Sequence, residues 1–185
     1  MKQLLFIITL LFSFNAMAED TRIKLNEKIG YHAGKVMVNV AMLSGVVVNC
    51  KNDNSTKIFY EQFAKSLMEH GTAIMGIIYA MNEEQMRIIA GDKIAEAMTR
   101  ESKNNQNMAN NYIHESFKGL SRDKISSACS NFKRQIRNEF NISNNAKLAI
   151  KYIKLYYKKY LNDELYIPSN LNLAIEAMAK AENKD

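Results

Sequence analysis

Residues 121–140 read SRDKISSACSNFKRQIRNEF. Within them Ile125, Cys129, Phe132, Ile136 and Phe140 recur every three or four positions and nothing alternates, so the segment is one face of an amphipathic α-helix rather than a strand. Ser121 is a good cap for its start, and Gly119 offers a left-handed stop to whatever precedes it. Cys129 lies on the apolar stripe and therefore faces a core. The chain holds two cysteines, and the other is Cys50. In an oxidising compartment a single Cys50–Cys129 bridge is the expected pairing. Neither sits in a C-x-x-C unit or beside a histidine at ligand spacing, which favours a structural bridge over a reactive or metal-binding thiol pair.

Working outward, residues 22–49 predict a first helix ending at Cys50. Val36, Val38, Val40 and Val46 to Val48 are β-branched and would suit a buried strand. The length of the run, and the small residues Ala33, Ala41 and Gly45 on one helical face, favour a helix that lets a neighbour approach closely. Asn54, Ser55 and Thr56 cap a second helix to about Met81, with Tyr60, Phe63, Leu67, Gly71, Ile74, Ile78 and Met81 on its core side. Asn82 with Gln85 three residues on, followed by Glu83 and Glu84, predicts a third helix to about Arg100. The polar residues 102–111, rich in Asn, read as a mobile loop, and 112–118 as a short helix. Further helices are expected over 144–161 and, introduced by Pro168, over 170–180. With 185 residues, 47% hydrophobic and a single Pro, the expectation is all-α: a single-domain bundle of about five to seven helices over residues 19–185, stapled by one disulfide. This composition excludes disordered, collagen-like and disulfide-dense classes.

The first 18 residues supply the address. Met1 and Lys2 make a basic start, an apolar run extends from Leu4 to Phe14, and Ala16-Met17-Ala18 is a small-residue stop before Glu19. The run is far shorter than the roughly 20 residues that span a bilayer as a helix. A bacterial signal peptide cleaved after Ala18 is expected, and with it a periplasmic or secreted protein. No cysteine follows the cleavage point, so nothing marks a lipid anchor. The sequons at Asn54 and Asn141 match the N-glycosylation pattern but carry no meaning in a bacterial periplasm.

Charge is unevenly placed. The formal net charge is +6, yet between Lys118 and Tyr160 eleven basic residues face only Asp123 and Glu139. Lys147, Lys151, Lys154 and Lys158 step by four, three and four, which aligns them on one helix face, flanked by Tyr152, Tyr156, Tyr157 and Tyr160. Lys133, Arg134, Arg137, Lys147, Lys151, Lys154, Lys158 and Tyr156 are therefore the candidate residues for an anionic partner. The competing reading is a solvated lysine face whose tyrosines pack inward.

Catalytic signals are sparse. His32, His70 and His114 lie far apart with no metal spacing, His70 reading as a buried hydrogen-bonding residue, and no P-loop, G-x-S-x-G or G-x-G-x-x-G occurs. Glu83 and Glu84 sit where a helix start favours acids anyway. The dispersed methionines, among them Met37, Met42, Met68, Met75, Met81, Met86 and Met98, suit core filling better than a copper box, with a pliable groove second. Neither a metal nor another cofactor is expected. The favoured function is a non-enzymatic periplasmic binding protein that docks a protein partner in the cell envelope, of the immunity, chaperone or secretion and conjugation accessory type. The alternatives are a binder of anionic lipid or another polyanion through residues 147–160, and an enzyme whose site carries no familiar motif.

Overall fold

Helix α1 runs from Lys2 to Cys50 and forms the axis of the molecule. The computed structural model describes the backbone of residues 2–184 and the side chains from residue 21 onward, apart from scattered positions between 89 and 106. The leader reading of residues 1–18 and its cleavage point lie outside the residues whose side chains are described. Thr21–Cys50 is long and apolar enough to cross a membrane by length and composition. One face of it is turned into the protein: Val36, Val40, Leu43 and Val47, at steps of four, three and four, are all buried, while Ile23, Val38 and Val48 on other faces are exposed. That stripe settles the ambiguity between helix and strand, because helical burial on one face outweighs the β-preference of single valines.

Around α1 pack α2 (Lys57–Ser66), α3 (Thr72–Ala90), α4 (Asp92–Phe117), α5 (Arg122–Gln135) and α6 (Ile142–Tyr156), and α7 (Ser169–Glu182) lies against α2, α3 and α6. A π turn at Leu67–Gly71 joins α2 to α3, and two more, Ile136–Phe140 and Tyr157–Leu161, finish α5 and α6. No strand occurs among the described residues. The protein is an all-α bundle, as its periodicity predicts. The small face of α1 also works as expected: Ala33 and Ala41 are buried, and a Cβ added at Gly45 would come within 2.8 Å of the Ile113 side chain on α4.

Two boundaries differ from the sequence reading. The helix break falls at Gly91, whose φ of 83° is the left-handed conformation glycine tolerates, and not at Met81–Asn82. Gln85 is buried within α3, where it donates to Asn26 of α1 at 2.7 Å, while Glu83 holds Arg87 and Arg87 reaches Asp92 across the break. The Asn-rich residues 102–111 are helical and belong to α4. Asn110 accepts a hydrogen bond from Ser44 on α1 at 2.8 Å, and Ile113 and Phe117 beyond it are buried, so packing overrides the weak helix preference of asparagine. The stop at Gly119 (φ 75°) is where it was expected. Ser121 occupies the start of α5 without a side-chain cap bond.

Cys50 and Cys129 are joined, with Cα atoms 5.5 Å apart and both residues fully buried. The Tyr60 hydroxyl donates to the Cys129 carbonyl at 2.7 Å, and burial pushes that phenol well above its ordinary range. Beside the bridge, one oxygen of Asp53 accepts from the Ser55 and Thr56 hydroxyls and from the Thr56 N–H. Desolvation pulls the Asp53 carboxyl up, but these bonds together with the Ser126 hydroxyl outweigh it and hold the group at about 2. A carboxyl depressed on folding contributes stability that is complete above its ordinary value of 3.8 and is lost as pH falls through about 2. Asp53→Asn is therefore expected to lower the melting temperature at neutral pH while approaching the wild type near pH 2. Thermal scans at the two pH values check this; an equal deficit at both would exclude the carboxylate as the cause.

Candidate anion-binding groove

Helix α6 divides sharply. Ile142, Ala146, Ala149, Ile150, Ile153 and Tyr156 turn inward, and Lys147, Lys151, Lys154 and Lys158 turn to solvent. Its start is fixed twice. Asn141, in the left-handed conformation at φ 35°, accepts from the Asn144 N–H. From the far end of α7, the Glu182 carboxylate accepts from the Ser143 hydroxyl at 2.6 Å and from the Ser143 N–H at 3.2 Å. Burial raises the Glu182 carboxyl and the Ser143 bonds partly offset this, so an acid from α7 sits at the positive end of the α6 dipole.

That junction brings α6 and α7 side by side and leaves between them a groove of about 390 Å³. Lys147, Lys151 and Lys154 of α6 and Lys158 of the π turn that follows form its rim, and Asn172 lines it from α7. Ile150 and Ile175, both buried, and Leu155, 45% exposed, give it an apolar floor. No carboxylate lines it. Among the described residues none of the four lysines has an ion-pair partner. With helical rise of about 1.5 Å per residue, adjacent lysines are rooted roughly 4.5–6 Å apart along the helix, inside the Debye length of about 8 Å at physiological salt. Their fields add, and the place where they add is a concave surface from which water can be displaced.

The other candidates lie elsewhere. Lys133 and Arg137 both stand over the Phe59 ring of α2, at 5.1 and 5.7 Å. Arg137 also donates to the Lys184 carbonyl at 2.6 Å, and Arg134 donates to Asn131 on its own helix. Lys133 and Arg137 thus hold α5 and its π turn to the bundle, Arg134 stays on its own helix, and none of the three joins the groove. Tyr156 must be removed from the candidate surface: it is fully buried, its hydroxyl accepts from Arg22 at 2.9 Å, and the same guanidinium lies 5.7 Å above its ring. With Ile29, Ile153 and Tyr157 it makes a second core cluster between α1 and α6. The tyrosines thus pack inward, as the competing reading had it, while the lysines stay in solvent.

No histidine forms a reactive cluster. His32 pairs with the Asn145 side-chain oxygen at 2.9 Å and stacks on Tyr152. His70 is not buried but partly exposed beside Glu69, 3.8 Å away, because the π turn swings it off the core side. His114 is exposed. No group of three or more metal-ligating side chains occurs among the described residues. The methionines are dispersed: Met178 is buried against the Ser66 hydroxyl, whereas Met68 and Met108 are exposed.

The sequence reading missed Asn172, Ile175 and Leu155. Leu155 carried a signal, an apolar residue set between Lys154 and Tyr156 on a charged turn. The α7 residues carried none, since nothing local says which helix lies beside α6. The chain matches no family model, no curated protein and no solved structure, so the groove is read from its own chemistry.

Proposed function

We propose that the chain is an exported, non-enzymatic binding protein of the bacterial envelope that docks a protein partner in the groove between α6 and α7. The observation that carries this reading is the row of four lysines, without ion-pair partners among the described residues, over an apolar floor. Exposed cations without internal partners do little for folding. An apolar cleft among them lets a contact combine charge with desolvation, the usual make-up of a protein interface. The signal-like first 18 residues, cleaved after Ala18, and the disulfide support a periplasmic or secreted address. An immunity, chaperone or secretion accessory role fits this build.

A second reading, attachment to anionic lipid or another polyanion, is favoured by the same four charges. A photo-crosslinking residue at Asn172, compared with one at Tyr112 on α4, separates the two in cells. The expected result is a protease-sensitive protein adduct at position 172 alone, which still forms when irradiation is carried out at about 0.3 M NaCl because the contact is partly apolar. A lipid-only adduct, or equal adducts at both positions, would remove the reading.

A further inference from the structure

We infer that the occupant of the groove is an acidic amphipathic helix of the partner, one with carboxylates along one edge and an apolar stripe beside them; this rests on the docking reading above. The first argument is periodicity. Lysines at steps of four, three and four repeat at the pitch of an α-helix, about 5.4 Å, so a second helix laid along α6 with Glu or Asp at the same steps meets each ammonium with a carboxylate. The second is shape. A bilayer presents a flat plane to which a convex ridge of lysines would suit, whereas here the charges border a shallow groove that Ile150, Leu155 and Ile175 also line. Two neighbouring helices with a groove between them accept a third at about 8–10 Å from each, its apolar stripe pointing into the furrow. Asn172 on the opposite wall offers both a donor and an acceptor to the occupant's polar edge.

The test uses the full exported protein and a synthetic peptide of about 18 residues, in which glutamates recur at steps of four, three and four and leucines fill the adjoining stripe. Its glutamine counterpart, a scrambled peptide and phosphatidylglycerol vesicles serve as comparisons. The glutamate peptide is expected to bind and to shift the backbone amide resonances of residues 147–158 and 172–175. The glutamine peptide should bind at least about 10-fold more weakly, as the loss of several exposed charge pairs implies. Absence of binding, equal binding by the glutamine or scrambled peptide, or shifts of the same lysines by vesicles but not by peptide would each overturn the inference. If the peptide fails while the crosslink at position 172 still recovers a protein, only the occupant's class is wrong; if that crosslink recovers none, the docking reading falls as well.

Discussion

Cys50→Ser lowers the melting temperature by about 10 °C. The bridge closes a loop across 79 positions, for which the chain-entropy argument gives about 4.5 kcal/mol as an upper bound. For a chain of this length each kcal/mol corresponds to roughly 2–4 °C. The loss is sharpened by where the bridge sits. Within α5 the one residue described as buried is Cys129, and the helix is otherwise held by half-buried Ile125, Ala128 and Phe132 and by the Ile136 turn. Within Arg122–Gln135 the bridge is therefore the fully buried attachment to the core, beside the Tyr60 hydrogen bond and the partly buried contacts of its neighbours. A serine at position 50 also places a hydroxyl where the wild-type residue has no solvent contact, which adds a desolvation cost of about 1–3 kcal/mol unless it finds an acceptor. Hydrogen exchange should then show the amides of α5 losing protection before those of α1 and α6, because the freed helix opens locally. Reduction of the wild type with dithiothreitol should reproduce most of the shift, and thiol labelling of the unfolded, unreduced protein should find no free sulfur. A melting point within about 2 °C of the wild type in both the variant and the reduced protein would show that apolar packing alone holds α5.

The bridge was readable in advance because each half of the inference was local: two cysteines leave one pairing, and the spacing Ile125, Cys129, Phe132, Ile136 turns the sulfur inward. The helical character of α1 was equally legible, since the steps from Val36 to Val47 follow the helical period even though the residues prefer strands. What failed were judgements that depend on distant neighbours. Asn82 and Gln85 look like a cap only until Asn26 is found opposite Gln85. The asparagines of residues 102–111 look like a loop only until Ser44 and Gly45 of α1 are seen to seat that turn of α4. Tyr156 illustrates the same limit at the candidate site, because its place on α6 beside lysines said nothing of Arg22, 134 positions away, which holds it in the core. The exposure of the four lysines was legible because charges at helical spacing turn to solvent whatever the rest of the fold does.

Replacing Lys151 and Lys158 together with Glu leaves the fold intact and weakens partner binding by roughly 30-fold. Neither lysine has an ion-pair partner among the described residues, so folding loses no ion pair when they go. The new carboxylates even gain neighbours at helical spacing: Glu at 151 stands four residues from Lys147 and three from Lys154, and Glu at 158 stands four from Lys154. Such pairs contribute about 0.2–0.5 kcal/mol each, so the melting temperature should hold or rise slightly. Binding responds in the opposite sense. The rim changes from four cations to two cations and two anions, and each replacement turns an attraction of about 0.2–1 kcal/mol into a repulsion of similar size. Two replacements together cost about 2 kcal/mol, which is the 30-fold loss. Lys151→Gln with Lys158→Gln removes the attraction without adding repulsion and should fall between the two, at roughly 5-fold. In about 1 M salt, where the Debye length shrinks to about 3 Å, the three proteins should converge, leaving the part of the affinity supplied by Ile150, Leu155 and Ile175. Binding of an acidic partner that is the same for wild type, glutamine and glutamate variants would mean that the lysines only keep the surface of α6 in water. A graded loss, at unchanged stability and erased by salt, belongs to charges that serve a partner rather than the fold.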